Sequence, residues 1–247
     1  MDCWAKGHGP CRGAITGEHW VPRGIATGPS VDVRGMTFCG NETRTIPWST
    51  ALSNMLCERH NHEVSSGLDM EAIRLKRSIE AVADESDVCR PGALWRGPNV
   101  IELPFDQLAR WMTKTWCNFV AANRGAVMPA AAAYAMGVEA ADIRMFPYLR
   151  ATLHTEVMLD TAIGHIGVLS LEDANGVIGF QGEVFGLTFL VTCHDLRGTP
   201  RRIRVDGEGV ISSNELKRRV ELDFRAHVPM HGTVVVAKLV LGSGQTT

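Results

Sequence analysis

Three cysteines and one histidine constrain the N-terminal part of this chain more than any other feature. Cys57 stands three residues before His60, while Cys3 and Cys11 lie far upstream on the two sides of Gly7-His8-Gly9-Pro10. Glycine tolerates positive φ and proline fixes its own, so residues 7–10 must turn, and the turn lets Cys3 and Cys11 face one ion. Two pairs of sulfur and nitrogen donors separated by a loop can close a four-coordinate zinc site. We therefore expect structural Zn²⁺ on Cys3, Cys11, Cys57 and His60. The Cys3–Cys11 interval is longer than the usual knuckle, with Lys6 where a Cys-x-x-Cys would close, and His8 could replace either cysteine. A Gly-rich segment with little core of its own needs such a staple.

A second set of residues sits beside the first. Glu18-His19 precedes Trp20-Val21-Pro22, and Asn54 and Asn61 flank Leu56-Cys57-Glu58-Arg59-His60. An acid, a histidine and an amide held near one another can bind a hard cation and activate water. Together the two sets resemble the HNH, or ββα-metal, nuclease superfamily over roughly residues 1–70. In that family an acid-histidine pair ends the first strand of a hairpin, and an Asn or His opens the following helix, often just after a zinc knuckle. Glu18-His19 matches the first element, Asn54 the middle Asn and Asn61 the last position. His60 replaces the knuckle's second cysteine. The resemblance implies that His19 is the general base and that Glu18 and Asn61 hold or orient a catalytic Mg²⁺ or Mn²⁺. It also implies that Asn54 braces the loop carrying His19. His62 is a second candidate ligand should the register differ by one.

The 247 residues allow one large domain or two modest ones, and 45% hydrophobic with 21% charged residues is ordinary for a globular chain with a sizeable core. A net charge of −2 supplies no global positive field for nucleic acid. A basic cluster at Arg201, Arg202 and Arg204 could guide a substrate backbone, although the acids around it could equally pair with it. Seven cysteines, an odd number, spread along a chain with no signal-peptide pattern and no apolar run of spanning length, lead us to expect reduced thiols in the cytoplasm.

Ile15 to Val21 and Val31 to Phe38 read as strands, and Thr50 to Asn61 as a short helix or turn carrying the knuckle. Ser66 with Asp69 resembles a helix N-cap. After it Leu68, Ala72, Leu75, Ile79 and Val82 form one stripe, and Lys76, Arg77 and Glu80 should be solvated. The Gly/Pro-dense run from Arg90 to Pro98 marks a boundary between an HNH-like module with its trailing helix (1–90) and an α+β domain (91–247). Pro104 opens a strong helix with Leu108, Met112, Trp116 and Phe119 on one side and Gly125 as its stop; its aromatic residues read as core. Asn175-Gly176 signals a hairpin, and Val220 to Val228 alternates as a half-buried strand. Trp20 and Trp48, in the loop-rich module, could touch a substrate, with packing the default. Cys193-His194-Asp195 is not a catalytic trio, because adjacent strand residues point to opposite faces.

The expected fold is α+β: a zinc-stapled ββα-metal module, then helices and a mainly antiparallel C-terminal sheet. The expected function is a metal-dependent endonuclease acting on nucleic acid, DNA before RNA. The alternatives are a zinc-stabilised module that binds nucleic acid or assembles with protein, and a structural protein whose sheet mediates oligomerisation.

Overall fold

A computed structural model describes residues 2–26, 28–40, 42–85, 99–138, 143–151, 165–173, 176–184, 187–195, 219–223 and 235–240. It mixes helices with small antiparallel sheets. Strand β1 (Ile15–His19) is followed by β2 (Ser30–Arg34), β3 (Arg44–Pro47) and β4 (Leu52–Cys57). β1 and β4 form an antiparallel pair running from Ile15 opposite Cys57 to His19 opposite Leu52, with an irregularity between Thr16 and Gly17. Just beyond β4 comes a π-helical turn, His60–Ser65, which runs directly into α1 (Ser66–Glu85). Two antiparallel strands and a helix are thus contiguous in space around the knuckle.

Several local expectations are met for physical reasons. Val31 and Val33 of β2 are buried while Ser30 and Arg34 are exposed, the alternation of a half-buried strand. Gly35, at φ 80°, turns the chain out of that strand well before Phe38. Others are corrected. The segment 52–57 is a strand rather than a helix or turn, because Ser53 to Cys57 pair with β1 and Met55, Leu56 and Cys57 are buried. Ser66 is no N-cap: the helix already runs through it from the π turn, and its hydroxyl donates back to the His62 carbonyl at 2.6 Å. Lys76, expected in solvent, is 8% exposed. The side chains of Ile79, Glu80 and Val82 lie outside the described residues, as do residues 86–98, where the domain boundary was expected.

Strand β5 (Asn99–Pro104) leads into α2 (Phe105–Ala122), then α3 (Pro129–Met136). Arg124, in the left-handed region at φ 60°, and Gly125, whose N–H reaches the Val120 carbonyl at 2.8 Å, close α2. The remaining strands are β6 (Ile143–Ala151), β7 (His165–Asp173), β8 (Gly176–Val184), β9 (Leu187–Asp195), β10 (Arg219–Asp223) and β11 (Val235–Val240). Hydrogen-bonded neighbours follow the order β3-β2-β10-β7-β8-β9-β6, and β11 pairs with β5 in parallel. Asp173 faces Gly176 across the expected hairpin turn. Among the described residues no helix is long and apolar enough to cross a membrane.

Helix α2 is the hub of the core. Leu108, Trp111, Met112, Trp116 and Phe119 are buried as expected, but so are Thr113, Lys114, Thr115 and Asn118. The helix is therefore enclosed on every side, not packed through one stripe. Trp116 stacks on Phe180 and donates to Ser170 at 2.8 Å, tying α2 to β8 and β7. On the other side, Trp4 donates to Asn118 at 3.1 Å.

Candidate metal centre

The N-terminal segment reaches the knuckle by threading against β4. The Trp4 N–H donates to the Met55 carbonyl, Glu58 N–H to Ala14 and Arg59 N–H to Arg12, at 3.1, 2.9 and 3.2 Å. The turn at 7–10 forms as expected, with Gly7 at φ 98° and Gly9 at φ 122°. These contacts bring Cys3, Cys11, Cys57 and His60 together, with all four donor atoms within 4.8 Å of one another. His60 aims its Nδ1 at the three sulfurs, 3.4 Å from Cys3, 3.8 Å from Cys11 and 3.2 Å from Cys57. In a tetrahedral zinc site, bonds of about 2.3 Å to sulfur and 2.0 Å to nitrogen set the S···N edge near 3.5 Å. The cluster has the donors, the number and the spacing for such an ion. Cys3, Cys57 and His60 are buried, and Cys11 is exposed.

The electrostatics suit a cation as well. Burial pushes the Cys3 thiol up to about 11, with Cys57 and Cys11 beside it adding to the rise. Burial also raises Cys11. Burial works against a Cys57 thiolate too, yet the backbone N–H groups of His60 and Arg12 and the neighbouring thiols outweigh it and leave Cys57 below its ordinary value. Burial, with Arg59 beside it, holds His60 below its ordinary value, so the imidazole stays neutral, the form that ligates metal. Cys57 is the most readily ionised of the three thiols, and a bound cation would draw all of them into the thiolate state.

Glu18 and His19 diverge at the end of β1. The Glu18 carboxylate, 5% exposed, turns into the protein. There it pairs with Lys114 of α2 and accepts from the Ser65 hydroxyl at 3.2 Å. His19 is half-buried. Its ring stacks on Trp48 with planes 2° apart and centroids 5.7 Å apart, and its Nδ1 is enclosed without a hydrogen-bond partner. Its carbonyl and that of Trp20 each lie 3.5 Å from the Asn118 amide nitrogen.

The two asparagines meet at Gly17. Asn54 is its cross-strand partner on β4. Asn61 donates to the Thr16 hydroxyl at 2.9 Å and to the Gly17 carbonyl at 3.4 Å. The structure thus gathers Asn54 and Asn61 one strand step from the Glu18-His19 pair, beside the four-donor cluster. His62 is exposed. Trp20 is buried and donates to the Ser53 hydroxyl at 2.9 Å, so it is a packing residue rather than a surface one. Arg201, Arg202 and Arg204 lie outside the described residues.

Sequence reasoning missed Lys114 and Asp69. The signal was a single lysine inside the otherwise uncharged run Trp111-Met112-Thr113-Lys114-Thr115-Trp116, since a buried ammonium demands carboxylate partners. No family model matches this chain, no curated protein matches it and no solved structure matches it.

Proposed function

We propose that residues 1–70 form a zinc-stapled ββα-metal module of HNH type, followed by helices and a mainly antiparallel C-terminal sheet, and that the protein hydrolyses phosphodiester bonds of nucleic acid. The observation that carries this reading is the order hairpin, knuckle, helix, with His19 ending the first strand and Asn61 of the helix start hydrogen-bonded two residues before it. His19 is the general base: its half-buried imidazole, at the end of β1, can take a proton from the attacking water. Trp48 fixes the plane of the ring, and Asn54 and Asn61 hold the Gly17 backbone that sets its position. The ion on Cys3, Cys11, Cys57 and His60 is structural, because four protein donors leave no open position.

A divalent cation shared by Glu18 and Asn61 does not fit these residues. Glu18 is committed to Lys114 and Ser65 inside the protein and is not turned toward Asn61, whose amide nitrogen donates to Thr16 and Gly17. That same observation favours a second reading, in which the module keeps the fold and binds nucleic acid without cutting it.

Incubating zinc-loaded protein with plasmid DNA and with RNA, with and without added Mg²⁺ or Mn²⁺, separates the two. Cleavage should fall about 100-fold or more in His19→Ala while zinc content and circular dichroism stay unchanged. Intact substrates together with retarded mobility on a gel would establish the binding reading instead.

A further inference from the structure

The reading above leaves one buried charged cluster without a role. Lys114 sits mid-way along α2 with its side chain 1% exposed. Its Nζ lies 2.8 Å from Oδ1 and 2.9 Å from Oδ2 of Asp69, and it also contacts Oε1 of Glu18. The ammonium thus faces three carboxylate oxygens, two of them on Asp69 and one on Glu18. Ser65 donates to the same Glu18 oxygen, so the site is assembled from β1, the π turn, α1 and α2. Two acids aiming three oxygens at one interior point are a donor set that divalent cations use. Here a covalently attached charge fills that point.

We propose that the Lys114 ammonium occupies the cation position of this module, so that Glu18 holds no divalent ion in the native protein and loss of the ammonium converts Glu18 and Asp69 into a divalent-cation site. The charges agree. Burial alone would strip Lys114 of its proton, but Asp69 and Glu18 hold it charged above the ordinary lysine value. Burial raises Asp69 despite its partner, because one ammonium does not neutralise two carboxylates. A doubly charged ion would balance both. Replacing the lysine by alanine leaves room at the same oxygens for an ion and its waters.

The inference stands on the three-oxygen geometry and not on hydrolysis, so an absence of cleavage leaves it intact. Thermal melts of zinc-loaded wild type and Lys114→Ala test it, with Mn²⁺ or Ca²⁺ compared with NaCl of equal ionic strength. The variant should melt well below wild type and recover by about 5 °C or more at saturating divalent ion, while wild type does not move. A folded variant that gains nothing specific from divalent ions would overturn the proposal. Should Lys114→Ala not fold, Mn²⁺ binding followed by electron paramagnetic resonance in wild type and Glu18→Gln decides it. Equal, non-specific binding in both is expected. A Mn²⁺ site present in wild type and lost in Glu18→Gln would sink it.

Discussion

His60 ties the metal centre to acid. It is held below its ordinary value by burial, so its neutral form persists through neutral pH. A histidine depressed in the folded state contributes stability above its unfolded value of about 6.5, and that contribution disappears as pH falls through the folded value. Zinc release, followed with a colorimetric chelator, should therefore begin only below about pH 6.5 and coincide with loss of the circular-dichroism signal. An onset that stays the same in His60→Ala would show that His60 does not set it. At this scale the chain was legible where residue type is itself the chemistry. A thiol or imidazole announces a soft ligand, and Cys3, Cys11, Cys57 and His60 meet as their types and the turn between them required. Glu18 was not legible in the same way. A carboxylate serves a cation, an ammonium or water equally well, and only the position of Lys114, nearly a hundred residues on, decides among them.

Among the elements, the 7–10 turn controls how closely the first strand of donors approaches the second. Gly7 and Gly9 both have positive φ, but their surroundings differ. A Cβ at Gly7 meets nothing within 4 Å, whereas one at Gly9 would lie 3.0 Å from Arg59 Nη1 and 3.5 Å from His60 Nε2. Gly7→Ala should cost only backbone strain, about 1 kcal/mol, and leave zinc affinity alone. Gly9→Ala should cost more and weaken zinc in a chelator competition, since its Cβ crowds the Arg59 guanidinium that donates to the Pro10 carbonyl beside Cys11; equal affinity in the two variants would refute this. Elements were legible where periodicity and punctuation agree, as in β2 with its buried Val31 and Val33, and α2 after Pro104. The misreadings have separate causes. Leu52 to Cys57 carries no alternation because both faces of its second half are buried against the module, and Ser66 looks like a cap only if the preceding π turn is not there to continue the helix.

For the whole molecule, α2 settles what can be separated from what. Lys114 completes a charge cluster with Glu18 and Asp69, and Asn118 holds Trp4 and the end of β1, yet both belong to the second half of the expected division. A fragment of residues 1–90 would leave Glu18 and Asp69 without their ammonium and strip the core of Trp111 and Phe119. We expect that fragment, even with zinc, to give no cooperative melt, whereas the full chain should melt cooperatively; calorimetry checks both. The Gly/Pro-rich run near residue 90 was a sound place to look for a boundary by composition. That run lies outside the described residues, and the contacts of Lys114 and Asn118 span it.

The spacing of the donors also has a consequence for how the protein is made. Cys3 and His60 are 57 positions apart, and neither Cys3 with Cys11 nor Cys57 with His60 offers more than half a coordination sphere. While the chain is still leaving the ribosome, its first residues must wait, thiols uncommitted, until the second pair has emerged. Over that interval the two thiols are open to oxidants and to other thiophilic metals, because the donors that would complete a four-coordinate sphere are not yet present.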